Sequence, residues 1–202
     1  MDNQDYDRTY AAQQLCRSRQ PLRQLLKYFY LNNILRNVRG PTIDFGCGAG
    51  QLLSRLPAGS IGLEVNPYLV EELQKQGLNV LLCDPDVDQF TLRQLPDQPY
   101  KALVMAHVLE HFTDASIALH RLLQACRLRK IERVVLVLPG IKGFNFDSTH
   151  KTLVNRGYIE DKKLLRCEGY VVSKMYYFPI DTERVGNYFT FHEFNIVYDL
   201  MK

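Results

Sequence analysis

The sequence predicts an α/β fold: a mostly parallel, seven-stranded sheet with helices on both faces and an antiparallel C-terminal strand. Three observations predict it. Short apolar runs rich in β-branched residues alternate with helix-compatible segments between Thr42 and Leu138. Two of these runs, Ala102-Leu-Val-Met-Ala106 and Val134-Val-Leu-Val-Leu138, are apolar at every position, as strands covered on both faces must be. The first run leads directly into Gly46, Gly48 and Gly50, a turn placed at the carboxyl end of a strand, where open α/β sheets bind ligands.

In chain order, Pro21 can start a helix in an N-terminal helical region, residues 1–40. Strands are expected at 42–45, 60–64, 79–83, 102–106 and 133–138, each followed by a helix or turn. Phe112-Thr-Asp114 is a helix-start signal after the fourth strand. Beyond Pro139-Gly140 the pattern predicts a helix near 160–167 that ends at Gly169. Two strands then follow, 170–178 and 193–200, as an antiparallel pair. A single domain of 202 residues is expected, with a cofactor-binding part over 41–140 and an acceptor-side part over 141–202.

Composition removes several function classes. The 46% hydrophobic content and near balance of 25 basic and 22 acidic groups describe an ordinary globular chain. Apolar stretches such as Val134 to Leu138 fall far short of the ~20 residues that span a bilayer, so no membrane span or secretion signal is expected. Cys16, Cys47, Cys83, Cys126 and Cys167 are odd in number and lack a CxxC pair, so they are expected to be free thiols of a cytoplasmic protein. The net charge of +3 is unevenly distributed. Residues 1–39 carry seven basic and three acidic groups, whereas 40–140 carry nine and eleven. Between 17 and 39 there are six basic groups and no acid, interleaved with Leu22, Leu25, Leu26 and Phe29 at helical spacing. That pattern favours an amphipathic helix packed on the body over a dedicated anion or RNA surface.

The stretch Thr42-Ile-Asp-Phe-Gly-Cys-Gly-Ala-Gly50 carries the most chemistry. Its glycines permit a tight turn and let a ligand lie against bare backbone. A P-loop would need GK[ST] here and finds Gln51-Leu52, while a dinucleotide fingerprint would need glycine at position 51. The remaining pattern, Asp44-x-Gly-x-Gly-x-Gly with Glu64 ending the next strand, resembles motif I of the class I S-adenosylmethionine-dependent methyltransferases, in their small-molecule, type 11/23-like branch. Gly62-Leu-Glu64-Val-Asn-Pro67, Cys83-Asp84, His107-Val-Leu-Glu-His111 and Phe146-Asp-Ser-Thr-His150 are similar to segments that follow the family's later strands. The resemblance implies a Rossmann-like three-layer sandwich that binds S-adenosyl-L-methionine and releases S-adenosyl-L-homocysteine. It places Asp44, Gly46, Cys47, Gly48, Gly50, Glu64, Val65, Asp84, Pro85 and His107 at the cofactor, with Glu64 on the ribose hydroxyls and Asp84 near the adenine. For Asp84 a plain polar turn with Pro85, Asp86 and Asp88 is an equal alternative.

His107-x-x-Glu110-His111 also matches the inverted zinc-protease pattern. That pattern requires a long helix and a distal acidic ligand, and here it leaves a buried strand, so no metal is expected. Methyl transfer to a hydroxyl benefits from a base, and a histidine titrating near neutrality suits that task. His111 and His150 are the candidates. An Asn-Pro-Pro-Tyr type tetrapeptide, the mark of nucleobase or amide methylation, is absent after the fourth strand. A small organic acceptor methylated at oxygen is therefore expected. RNA or protein docked on the basic 17–39 segment, or a non-catalytic cofactor-binding subunit, are the alternatives. The aromatic residues between Tyr176 and Phe194 are read mainly as core, and Tyr6, Arg8 and Tyr10 as a frayed end or a lid. A site this open also admits a second copy of the chain as its missing wall.

Overall fold

The computed structural model describes residues 7–18 and 21–202. Two helices come first, α1 (Arg8–Ser18) and α2 (Pro21–Leu35), and Pro21 is the first residue of the second. The strands β1 (Thr42–Phe45), β2 (Ile61–Glu64), β3 (Val80–Leu82), β4 (Ala102–Ala106) and β5 (Arg133–Pro139) follow. They alternate with the helices α3 (Pro67–Lys75), α4 (Pro85–Asp88) and α5 (Ala115–Leu128). The chain then forms α6 (Ile141–Phe146), α7 (Arg156–Asp161), β6 (Arg166–Cys167), β7 (Tyr170–Phe178) and β8 (Glu193–Leu200). All eight strands join in one sheet of order β3-β2-β1-β4-β5-β8-β7-β6.

β1 to β5 are mutually parallel, whereas β8 inserts antiparallel between β5 and β7. The chain leaves β1 toward β2 on one side, and β4 lies on the other side of β1. Connections diverge there and open a crevice at the carboxyl ends of β1 and β4.

Side-chain alternation divides the core into two layers. Leu103 and Met105 of β4, with Val134, Leu136 and Leu138 of β5, face the apolar stripe of α5 formed by Ala118, Leu119, Leu122 and Cys126. The intervening Ala102, Val104, Val135 and Val137 face Leu31 and Ile34 of α2. Polar contacts also fix α2 on the sheet: Asn33 Nδ2 donates to Asn195 Oδ1 at 3.0 Å and Tyr176 Oη donates to Asn33 Oδ1 at 3.0 Å. This network joins residues more than 130 positions apart.

The structure corrects the reading of the segment before β7. The helix lies at Arg156–Asp161, and residues 162–165 form turns rather than a continuing helix. Arg166 and Cys167 instead make a short eighth strand that pairs with Val171 and Tyr170. The connection is the two-residue turn Glu168-Gly169, with φ of +50° and +84°, the geometry that matches the twist of a hairpin. Leu164 is fully buried, so the apolar residues that suggested a helix are in the core by another route. The aromatic run also divides. Tyr177 and Phe194, on the strands, are buried, whereas Tyr188, Phe189 and Phe191 in the connection are exposed. The side chains of Arg17, Arg19, Leu22, Arg23, Leu25 and Leu26 lie outside the described residues, as does Tyr6. Arg36 and Arg39 are exposed. No helix among the described residues is long and apolar enough to cross a membrane.

Candidate functional site

The glycine turn begins where β1 ends. Gly46 and Cys47 both donate backbone N–H groups to Leu63 O, at 2.8 and 3.0 Å, which ties the turn to β2. Gly46 has φ +77°, and a Cβ there would lie 2.4 Å from Val108 Cγ2. Gly48 has φ +52°, but a Cβ there would meet nothing within 4 Å. The two glycines thus serve different needs, packing at Gly46 and open space for a ligand at Gly48. Gly46→Ala should therefore destabilise the fold by about 2–4 kcal/mol, combining left-handed strain with overpacking against Val108. Gly48→Ala should cost only about 1–2 kcal/mol in stability while obstructing the cradle. Denaturant unfolding of both variants beside wild type checks the contrast.

Glu64 closes the cradle from β2. Its Oε2 accepts from the Gly48 amide at 2.8 Å and its Oε1 from the Asn66 amide at 3.0 Å. Burial pushes its carboxyl above the ordinary value, while the amides of Asn66, Gly48 and Val65 pull it back. Asn66 then caps α3, accepting from Tyr68 and Leu69 amides, and its Nδ2 reaches Asp7 O at 3.4 Å. The start of α1 therefore lies beside the cradle. Asp44, in β1, is buried with Oδ2 lacking a hydrogen-bond partner. Burial, and then the charge of Glu64, raise it to about 7, against the Leu53 backbone amide. Cys47 is buried, and its thiol is pushed well up by burial and by the charges of Asp44 and Glu64, so it remains protonated.

These residues fit S-adenosyl-L-methionine. A ribose diol offers two donors to a carboxylate such as Glu64, and a cationic sulfonium and ammonium complement an acidic pair. The orphaned Asp44 oxygen and the bare space at Gly48 are features that a ligand would complete. Asp84 caps α4, accepting from the Asp86 amide at 2.9 Å, and Pro85 is the first residue of that short helix.

On the other wall, β4 ends at Ala106, and His107 adopts φ +56°. Its Nε2 lies 3.0 Å from Glu193 Oε1 and its Nδ1 3.5 Å from Glu110 Oε1. Partial desolvation opposes the imidazolium of this half-exposed ring, but the carboxylates of Glu110 and Glu193 outweigh it and raise His107 well above its ordinary value. His107 is thus an ion-paired brace between the β4 turn and β8, a role invisible in sequence because Glu193 is 86 positions away. Residues Leu109–His111 form a 3-10 turn rather than the helix of a zinc protease.

His150 arrives from the loop after α6. Lys151 and Thr152 amides donate to Glu110 O at 2.8 and 3.1 Å, holding that loop against the β4 turn. The His111 and His150 ring centroids are 4.8 Å apart. The two candidate bases, expected from separate segments, are neighbours. A cavity of about 260 Å³, lined by Pro85, Phe90, His111, Phe112 and Lys151, lies alongside. A second hollow of about 340 Å³ is lined by Lys27 and Leu31 of α2 and by Gly50 and Gln51, and Lys27 Nζ donates to Gln51 Oε1 at 2.6 Å along it.

Residues 43–129 match the family described as a methyltransferase domain. Among solved structures, a SAM-dependent methyltransferase from Archaeoglobus fulgidus is 22% identical with TM-score 0.65, covering 88% of this chain and 94% of that one. The methyltransferase domain of bacterial CtHen1-C is 19% identical with TM-score 0.62, covering 88% of this chain and 100% of that one. Magnesium protoporphyrin IX methyltransferase from Synechocystis PCC 6803, with bound SAM, is 15% identical with TM-score 0.56, covering 89% and 79%. Comparison with the curated proteins gives no match.

Proposed function

From the premise that this chain carries a class I S-adenosylmethionine-dependent methyltransferase domain, we propose that it methylates a small organic acceptor at oxygen. The observation that carries the acceptor half is the imidazole pair. The His111 and His150 rings lie 4.8 Å apart on the segments that follow β4 and β5.

S-adenosyl-L-methionine supplies a methyl group already activated on a sulfonium, so the chain must chiefly bind, align and exclude water. Glu64 would hold the ribose hydroxyls, Asp44 would face the cationic end, and the Gly48 backbone would lie against the ligand. Asp84, Pro85 and His107 would border it. The hydrogen-bond network prepares both histidines to take a proton. His150 Nδ1 donates to Phe144 O at 2.9 Å. Thr149 Oγ1 gives its only proton to Asp147 Oδ1, so it accepts from His111 Nδ1 at 3.1 Å. Each ring thereby keeps a lone pair on Nε2.

The reading is tested by supplying S-adenosyl-L-methionine with small hydroxylated acceptors, RNA and protein in parallel and measuring S-adenosyl-L-homocysteine. A neutral hydroxylated acceptor should be turned over with little dependence on salt. Turnover of RNA alone, with affinity falling steeply between 50 and 200 mM salt, would move the acceptor to the exposed basic groups Arg36 and Arg39. His111→Ala and His150→Ala should each lower kcat by about 10²–10⁴-fold and leave cofactor affinity unchanged.

A further inference from the structure

Glu110 takes no part in cofactor binding as read above, yet it occupies an unusual place. It is fully buried, and neither carboxylate oxygen makes a hydrogen bond. The ring nitrogens nearest to it are His107 Nδ1 at 3.5 Å and His150 Nε2 at 3.8 Å, and neither makes a hydrogen bond to it. Buried carboxylates are ordinarily hydrogen-bonded or coordinate a metal. A Glu110 oxygen, a ring nitrogen of His111 and a ring nitrogen of His150 lie within 4.8 Å of one another.

The surroundings suit ligation. His150 and His111 have their Nδ1–H groups held by Phe144 O and Thr149 Oγ1, the outer hydrogen bond that orients a metal-binding imidazole. Asp147 Oδ2, 4.0 Å from His150 Nε2, is a further oxygen at the rim. The backbone bonds from Lys151 and Thr152 to Glu110 O join the two segments that carry the donors.

We propose that Glu110, His111 and His150 hold a divalent transition-metal cation whose remaining positions open toward the cavity beside His111. The set differs from the zinc-protease pattern within His107-x-x-Glu110-His111, because His107 is turned to Glu193 and the third donor comes from the loop after α6. The expectation of no metal concerned the helical zinc-protease arrangement, and this donor set does not use it. Two imidazoles and one carboxylate favour manganese, cobalt or zinc over magnesium or calcium. Donors around such an ion lie about 3–3.5 Å apart at bond lengths near 2.1 Å, so the cluster would contract by about 1 Å on binding. On the proposed methyl transfer to oxygen, which this consequence rests on, the cation would take the acceptor hydroxyl as a ligand and lower its pKa. The histidines would then hold the cation, the acceptor's proton would pass to solvent water, and the oxygen would take the methyl group as the sulfonium carbon–sulfur bond breaks to leave S-adenosyl-L-homocysteine.

The experiment uses the full chain after chelator treatment, titrated calorimetrically with zinc chloride and, by absorbance, with cobalt chloride. One ion should bind per chain at micromolar concentration, with a cobalt spectrum typical of nitrogen and oxygen donors. Glu110→Gln, His111→Ala and His150→Ala should each weaken binding at least tenfold. S-adenosyl-L-homocysteine affinity reports folding, and it should stay unchanged in His111→Ala even if Glu110→Gln folds poorly. Failure of wild type to bind either ion at millimolar concentration, or equal binding by His111→Ala and His150→Ala, overturns the proposal. Methyl transfer that proceeds unchanged in chelator overturns the metal's role while leaving oxygen methylation standing. Stoichiometric binding lost in the variants, without any hydroxylated acceptor being turned over, supports the cation site and defeats the acceptor reading instead.

Discussion

Replacing Glu64 by alanine is expected to weaken S-adenosyl-L-methionine and S-adenosyl-L-homocysteine binding at least 100-fold, as read by calorimetry. Two effects combine. On the proposed placement of Glu64, two charge-assisted hydrogen bonds to the ribose diol, worth about 1.5–3 kcal/mol each, would be lost. The carboxylate also organises the cradle, since it accepts from the Gly48 and Asn66 amides on either side of the site. Glutamine should not rescue binding. Its amide nitrogen cannot accept, so one of those backbone donors would face another donor. Stability should behave differently, because burial raises the Glu64 carboxyl and its ionised form opposes folding at neutral pH. The Glu64→Gln variant should thus unfold close to the wild-type temperature while its affinity collapses. A dissociation constant within threefold of wild type would remove Glu64 from the cofactor site.

The cradle was readable because every part of it is local. The glycine turn and Glu64 belong to consecutive parallel strands joined through a 3-10 turn at Leu53–Arg55, and the spacing from Asp44 to Glu64 is carried by a register in which Asp44 pairs with Gly62. The unbroken apolar runs Ala102–Ala106 and Val134–Leu138 showed central strands, and Asp114 does cap α5, accepting from the Ile117 amide. What escaped is non-local or irregular. Nothing near His107 signals its pairing with Glu193, and nothing near Glu110 signals that Lys151 and Thr152 will dock on its carbonyl. The hairpin of β6 and β7 was hidden by Lys163 and Glu168, non-glycine residues at positive φ that have no signature in a pattern search. The same blindness affected the histidine pair. His111 and His150 were picked out singly for their chemistry, but their proximity depends on a loop that brings Thr149, 38 residues on, back to His111.

Asp44 should make the protein's stability and its cofactor affinity depend on pH in opposite directions. Its carboxyl is raised from 3.8 to about 7, first by burial and then by the Glu64 charge. A carboxyl whose folded pKa exceeds its unfolded value holds its proton more tightly in the native state. Without ligand, stability should be fully present below about pH 4 as far as this group is concerned. It should fall as pH rises toward 7 and then level off, with a total loss on the order of 2–4 kcal/mol. Glu64, shifted the same way, adds to the slope. The cofactor reverses the preference. A ligand with a sulfonium and an ammonium favours the ionised carboxylate, so binding near pH 7 should release a proton and tighten as pH rises through that value. Asp44→Asn should flatten the stability profile between pH 4 and 7 and stabilise the free protein at pH 8. Its cofactor affinity should be at least tenfold weaker at that pH and nearly independent of pH. Unfolding curves from pH 4 to 8, with calorimetry in buffers of different ionisation enthalpy, measure both limbs. Parallel profiles for wild type and Asp44→Asn would show that the orphaned oxygen at the end of β1 does not face the cofactor's positive charge.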